Sequence, residues 1–94
     1  MTNDRQQQAL FFQMIMSFQA AAMQHLGQIE NMFSNKIEYD LEQARIAIDM
    51  IDMIRKKTEG NRTPEETTFI EDVLRELRLI YVKVKNSQSE QNSK

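Results

Sequence analysis

The sequence predicts an all-α protein: a three-helix arrangement in which the second and third helices form an antiparallel hairpin packed on an apolar first helix. The chain of 94 residues contains only two glycines and one proline, so runs of good helix formers are rarely interrupted. Apolar residues recur at intervals of three and four in three segments, which is the spacing of one helical face. Because the chain has no cysteine, helix packing or self-association must stabilise the fold.

The first helix is predicted over residues 8–30, after a polar segment, residues 1–7, that we expect to be disordered. Its apolar stripe begins at Phe11 and continues to Ile29. Gly27 can end a helix, because glycine adopts backbone conformations that other residues avoid. Since the apolar pattern continues beyond that glycine, the predicted helix extends to residue 30.

The second helix is predicted over residues 36–58, where apolar residues follow the a/d seam of a packed helix. The seam steps by four, three, four and three residues through Ile37, Leu41, Ala44, Ile48 and Ile51. Asn35 is the predicted N-cap, and Glu38 at the third helical position is its predicted partner in a capping box.

The third helix is predicted over residues 64–85, and we expect the polar tail, residues 86–94, to be disordered. The turn before this helix contains the residue types that end one helix and start another. Glycine ends a helix, threonine caps the next one, proline suits its first position and glutamate at the third position completes a capping box. The predicted turn and capping residues are Gly60, Asn61, Thr63, Pro64 and Glu66.

An anion site at the start of the third helix is the alternative interpretation of this turn, since free backbone amides at a helix N-terminus attract negative charge. Glu65 and Glu66 already occupy that positive end and would repel a phosphate. The structural interpretation does not account for Lys57 and Thr58. Whether these two residues have a role beyond the turn stays open.

The sequence contains no recognisable catalytic apparatus. Without cysteine the chain has no thiolate nucleophile and no zinc–thiolate site. It also has no serine–histidine–aspartate arrangement and no glycine-rich phosphate loop. His25 is the only histidine, and neighbouring turns supply no carboxylate at ligand spacing. We therefore expect a protein that is not an enzyme, with no cofactor, no metal site and no small-molecule substrate.

The first helix is unusual because it has no formal charge between Gln6 and Ile29 apart from any carried by His25. Core packing and contact with another protein chain, a second copy included, are two interpretations that stay open. Phenylalanine and methionine side chains on the first two helices provide a large and adaptable contact surface. The residues predicted to form it are Phe11, Phe12, Met16, Met23, Met50 and Met53. The leading functional hypothesis is a self-associating or protein-binding helical module.

A nucleic-acid- or ribosome-associated factor is the alternative functional hypothesis, because basic residues cluster at the end of the second helix. The members of this basic patch are Arg55, Lys56, Lys57 and Arg62. Carboxylates surround the patch, and the formal net charge of the chain is −2. Charge alone therefore gives only slight support for binding nucleic acid.

The sequence predicts neither a membrane span nor a secretory signal. Gln13, Ser17 and Gln19 interrupt the apolar run of the first helix, whereas a span needs about 20 mostly apolar residues. A helix lying on a membrane surface is expected to carry lysine or arginine along its polar face. The polar N-terminal segment leads into no signal-type apolar run, so a cytoplasmic location is expected.

Residues 41–82 resemble a known family through three motifs. The first motif is formed by Leu41, Glu42, Ala44, Arg45, Ile48 and Asp49. The second is formed by Lys57, Thr58, Gly60, Asn61, Thr63 and Glu66, and the third by Leu77, Arg78 and Tyr81. In these motifs, and in its Leu26–Gly27 pair, the chain resembles family 1844 of the domains of unknown function, which are small helical bacterial proteins.

The resemblance implies a helical bacterial cytoplasmic protein and brings no activity, cofactor or catalytic residue. One segment departs from the family pattern. Family members commonly place a proline-containing loop after the Leu–Gly pair, whereas this chain reads QIENMFSNK over residues 28–36. We therefore expect the first connection to have its own length and shape.

Overall fold

The structure, a computed structural model, describes residues 1–92 and confirms the predicted all-α class. Across that range the chain forms three helices: α1 (Asp4–His25), α2 (Leu41–Lys57) and α3 (Pro64–Asn92). Each helix contacts the other two, and the most extensive contact joins α1 to α2. Helix packing, as predicted, forms the core.

Side-chain contacts set the directions of the helices. At one end of the molecule the Thr63 hydroxyl donates a hydrogen bond of 2.7 Å to Oε1 of Gln8. Phe69 lies six residues beyond Thr63, and its ring packs against the ring of Phe12, which lies four residues beyond Gln8. The two ring centroids are 4.9 Å apart. Residue numbers thus rise together along α1 and α3. The start of α2 lies beside the C-terminus of α1, and the end of α2 leads through a short turn to the start of α3. The second helix therefore runs antiparallel to both of the others.

The core lies between the inward faces of the three helices. Its largest fully buried side chains are Ile15, Leu26, Ile51, Ile70, Leu74 and Leu77. Burying one such side chain contributes roughly 2–3 kcal/mol relative to leaving it exposed. The seam predicted for the second helix is confirmed at its buried members Ala44, Ile48 and Ile51.

The N-terminal part of α1 corrects the prediction that residues 1–7 are disordered. The helix begins at Asp4 because Asn3 and Gln6 form a capping box. The Gln6 amide donates to Oδ1 of Asn3 at 2.8 Å, and the Asn3 amide donates to Oε1 of Gln6 at 2.9 Å. This reciprocal pairing satisfies two amides that a helix start would otherwise leave free, so a polar sequence still starts the helix.

The C-terminus of α1 lies at His25, five residues before the predicted end. Gly27 has a φ of +72°, a backbone conformation that turns the chain out of the helix. The following segment returns along the helix end, where the Asp40 amide donates a 2.8 Å hydrogen bond to the carbonyl of His25. Leu26 and Tyr39 pair there as an isolated antiparallel bridge. Residues 26–30, predicted to be helical, therefore form the first part of a connection.

The start of α2 was predicted wrongly. The N-cap is Asp40, whose carboxylate accepts a hydrogen bond of 3.1 Å from the amide of Gln43. Asn35 instead adopts a φ of 58° within the connection. Ile37, assigned to the apolar seam, lies outside the helix and is 48% exposed.

Asn31 explains why the predicted capping box does not form. Its side-chain oxygen accepts hydrogen bonds from the amides of Phe33 and Ser34, at 2.8 and 3.2 Å. Its side-chain amide donates to Oε2 of Glu38 at 3.1 Å, so this glutamate contacts Asn31 instead of reaching back to Asn35. The connection is thus organised around one asparagine, whose side chain competes with helical structure.

The predicted capping box of α3 is confirmed. The Thr63 amide donates to Oε1 of Glu66 at 2.7 Å, and the Glu66 amide donates to Oγ1 of Thr63 at 3.1 Å. The tail was predicted wrongly in part, since residues 86–92 continue α3. Without glycine or proline in this stretch, each added residue costs at most about 0.7 kcal/mol of helix propensity. The remainder of the predicted disordered tail, residues 93–94, lies outside the described residues.

Candidate interaction surface

The outward side of α1 carries large apolar side chains and no formal charge along most of its length. Leu10 is 54% exposed and Met14 is 40% exposed, and on α2 Met50 and Met53 are 42% and 48% exposed. Between residues 1 and 92, no helix has both the length and the apolar content that crossing a bilayer requires.

The helical register shows which way the exposed side of α1 turns. Ile15 is fully buried and marks the inward direction of α1. Successive residues rotate by about 100°, so Met14 and Met16 lie on opposite flanks of this isoleucine. Phe12, on the flank of Met16, packs against Phe69 of α3. Met14 therefore lies on the flank that turns toward α2.

The same reasoning places the exposed methionines of α2. Ile51 is fully buried and marks the inward direction, with Asp52 and Met50 about 100° to either side. Asp52 contacts Arg78 of α3 at 3.1 Å. Met50 therefore lies on the other flank of α2, the one that turns toward α1.

These positions define one surface, which we name the α1–α2 face and which consists of Leu10, Met14, Met50 and Met53. Asp40 contacts His25 where the two antiparallel helices meet, so residue numbers on α1 fall as those on α2 rise. Met14 is 11 residues before His25, and Ile51 is 11 residues after Asp40, so the two lie at the same height along the paired helices. The methionines on α2 and the apolar residues on α1 thus lie on the same side of the molecule, at overlapping heights along the two helices.

The six residues predicted to form the contact surface do not lie together. Met16, Met50 and Met53 are exposed, whereas Phe11 and Met23 are partly buried against the core. Phe12 is also partly buried, with its ring tilted by 55° against Phe69. Met16 is separated from the two α2 methionines because it lies on the flank facing α3.

The six residues predicted from the sequence include neither Leu10 nor Met14. The signal available in the sequence was the charge-free run of α1, which contains both residues. The apolar stripe of α1 is too wide to show which residues on its two flanks are buried, because burial depends on where α2 and α3 pack against the helix.

The residues of the α2–α3 turn have structural partners. Thr58, the C-cap of α2, donates its hydroxyl to the carbonyl of Ile54 at 2.7 Å. Arg62 donates from Nη1 to that same hydroxyl oxygen at 3.0 Å and from Nε to Oγ1 of Thr67 at 3.1 Å. It also donates to the carbonyl of Arg55. Arg62 thereby links the end of α2 to the first turn of α3.

This arrangement gives Thr58 and Asn61 roles within the turn. The Thr58 hydroxyl serves both as a donor to α2 and as an acceptor from Arg62, and the Asn61 amide donates to the carbonyl of Thr58 at 2.9 Å. Gly60 has a φ of +85°, consistent with its predicted role in ending α2. Lys57 makes no ion pair with any residue in the described part of the chain.

The predicted basic patch is divided between two intramolecular clusters. Arg62 belongs to the turn, whereas Arg55 and Lys56 contact the carboxylate of Asp52 at 2.9 and 3.2 Å. Arg78 of α3 contacts the same carboxylate at 3.1 Å. The hydrogen bond from Arg55, reinforced by Lys56, lowers the pKa of Asp52 from 3.8 to about 2.

This lowered pKa predicts acid-dependent stability. Because the folded state favours the charged carboxylate, Asp52 stabilises the fold above pH about 4 and loses that contribution as the pH falls toward 2. We expect Asp52→Asn to lower the free energy of unfolding at pH 7 by about 1–2 kcal/mol, since partly exposed partners weaken the ion pairs. Urea denaturation at several pH values should show this difference shrinking below pH about 4.

The matched control is Asp72→Asn, which removes the carboxylate of the exposed ion pair with Arg75. An exposed pair of this kind contributes at most about 1 kcal/mol, so a smaller effect is expected. A loss for Asp52→Asn that stays constant from neutral to acidic pH would contradict the assigned role.

Comparison with known proteins adds one finding to this geometry. No curated protein and no solved structure matches the chain. The family described as a domain of unknown function, DUF1844, matches residues 8–83. The match includes most of α1, the whole of α2 and most of α3. The chain belongs to this family, as the three motifs within residues 41–82 predict.

Proposed function

We propose that this protein is a self-associating helical interaction module without enzymatic activity, in which the α1–α2 face of one copy packs against the same face of another. The observation that supports the proposal most strongly is that four large apolar side chains, each between 40% and 54% exposed, lie together on that face. An isologous two-fold contact pairs such a patch with itself. The family resemblance supports placing this module in the bacterial cytoplasm.

The chemistry around the patch suits burial between two chains. Specific interfaces bury about 800 Å² on each partner, so the contact must extend beyond the four apolar residues. Gln13 and Ser17 on the outer side of α1 are polar but uncharged. On the α1 side they provide a rim that a second copy can cover without removing a charge from water, which would cost several kcal/mol per ion. On the α2 side the exposed Lys57, seven residues after Met50, places one charge on the same flank.

The direct test is the effect of Met14→Glu on molecular mass in solution. A glutamate at the centre of the face places like charges opposite each other in a two-fold dimer. We expect it to weaken association by about 100-fold or more, equivalent to about 2.7 kcal/mol. Light scattering after size-exclusion chromatography, at tens of micromolar protein, should show an assembled wild type and a monomeric variant. Circular dichroism should show unchanged helicity.

Leu79→Glu is the matched control, because Leu79 is an exposed leucine on the outer side of α3. It should leave the assembly intact. A wild type that is monomeric at tens of micromolar, or a Met14→Glu variant that assembles as wild type does, would overturn the proposal. Met23→Glu, by contrast, should unfold the protein, because Met23 packs against the core.

The nucleic-acid alternative stays a prediction. Arg55, Lys56 and Arg62 all have partners within the chain, so binding phosphates would compete with those contacts. This competition favours the protein-binding proposal.

A further inference from the structure

A second surface lies between α2 and α3, on the flank of α2 opposite Met50. It is an open groove of about 600 Å³ lined by Arg55, Glu71, Leu74, Arg75, Arg78, Leu79 and Val82. The groove and the α1–α2 face are on different sides of the molecule. The self-association proposed above therefore leaves the groove without a partner.

The groove combines an apolar strip with arginine side chains. Leu79 and Val82 are 59% and 53% exposed, and fully buried Leu74 underlies them. The side chains of Arg75 and Arg78 are also more than half exposed. Apolar contact area together with arginine is the composition found at the energetically important centre of many protein interfaces.

The electrostatic balance of the groove favours an acidic partner. Arg55, Lys56 and Arg78 share the single carboxylate of Asp52, and Arg75 pairs with Asp72. Together with Glu71, three carboxylates therefore face four cations, and one positive charge remains in excess at this edge. Glu71 is the one carboxylate among the lining residues, although the whole chain has a net charge of −2. The groove is thus a positive site on a negative protein, and its remaining guanidinium donors can bind carboxylates.

We infer that this groove binds an acidic amphipathic helix of a partner protein. Arg75, Leu79 and Val82 follow one another along α3 at spacings of four and three residues, over a rise of about 10 Å. A helix laid along this stripe presents its own side chains at matching intervals. Its apolar residues contact Leu79 and Val82, and its carboxylates pair with Arg75 and Arg78.

The apolar strip favours a partner helix over a nucleic acid as the ligand of the groove. A phosphate backbone would pair with the guanidinium groups but would leave Leu79 and Val82 without an apolar contact. Glu71 also restricts where the carboxylates of the partner helix can lie. It lies one turn before Arg75 and repels a carboxylate at that end, so the acidic residues of the partner face the Arg75–Val82 end.

The probe is a fluorescein-labelled synthetic helix of leucine and glutamate, about 18 residues or five turns long, titrated by fluorescence anisotropy. A second probe replaces every glutamate with lysine. We expect the acidic probe to bind at least about 10-fold more tightly than the basic one, and its affinity to fall with added salt. Equal affinity for the two probes would overturn the inference.

Variants of the protein locate the binding site. Arg75→Gln combined with Arg78→Gln should weaken binding of the acidic probe at least about 10-fold, and Leu79→Ser should weaken it as well. Glu71→Gln should tighten binding. Arg5→Gln, which removes an exposed arginine at the start of α1, should leave it unchanged. Unaltered affinity after the double substitution would also overturn the inference.

The inference is independent of the self-association proposal, and Met14→Glu separates the two. This variant should lose assembly and retain affinity for the acidic probe. If saturating acidic probe instead dissociates the wild-type assembly, the groove holds a second copy of the chain, and the assignment to a partner protein is wrong.

Discussion

Replacing Gly27 with alanine is expected to lower the free energy of unfolding by about 2–4 kcal/mol, whereas the same change at Gly60 should cost about 1 kcal/mol. Both glycines have positive φ, +72° and +85°, so both substitutions strain the backbone. Only Gly27 is crowded. A Cβ there would lie 2.6 Å from Cζ and 2.7 Å from Cδ1 of Tyr39, while a Cβ at Gly60 would meet nothing within 4 Å.

The tyrosine ring has limited freedom to move away. The backbone of Tyr39 is paired with Leu26, and the next amide, that of Asp40, is hydrogen-bonded to the carbonyl of His25. Relieving the contact therefore requires rotating the ring off the glycine, which loses its packing, or breaking the pairing that joins the end of α1 to the start of α2.

Urea denaturation followed by circular dichroism measures how much each glycine substitution lowers the free energy of unfolding. The Tyr39→Ala background separates backbone strain at Gly27 from the steric contact with the ring. In the Tyr39→Ala background the steric contact is gone, so Gly27→Ala should cost about 1 kcal/mol, like Gly60→Ala. Equal costs of the two alanine substitutions in the wild-type background would show that the ring does not enforce glycine at position 27.

The elements predicted correctly are those whose determinants lie within a few residues of each other. The start of α3 depends on Thr63 and Glu66, which exchange side-chain and backbone hydrogen bonds across one turn. The start of α2 does not have this property. Asn35 and Asp40 are both good N-caps by residue type, and the choice between them depends on Asn31 and on the pairing of Leu26 with Tyr39.

The candidate interaction surface was predicted only in part, for a related reason. The absence of charge in α1 is a property of the sequence, and the exposed residues Leu10 and Met14 lie within that charge-free run. The separation of Met14 from Met16 depends on where Phe69 lies, because this ring covers the flank of Phe12. Likewise, Thr58 acquires its second hydrogen bond only when the turn brings Arg62 beside it.

Replacing Ile15 with alanine is expected to lower the free energy of unfolding by about 3 kcal/mol, while Met14→Ala should cost less than about 1 kcal/mol. Ile15 is fully buried and Met14 is 40% exposed, although they are adjacent in the sequence. Ile15→Ala leaves a cavity among packed side chains, whereas Met14→Ala removes a side chain that water already contacts. Urea denaturation of dilute protein, below the concentration of assembly, compares the two monomers.

The same pair distinguishes folding from association. Met14→Ala should shift the assembly equilibrium toward monomer with little change in monomer stability, because its side chain belongs to the surface between copies. Ile15→Ala should instead destabilise the monomer and affect assembly only through the smaller folded population. Were Met14→Ala to destabilise dilute monomer as much as Ile15→Ala does, the α1–α2 face would be part of the core, and the proposed self-association would lose its surface.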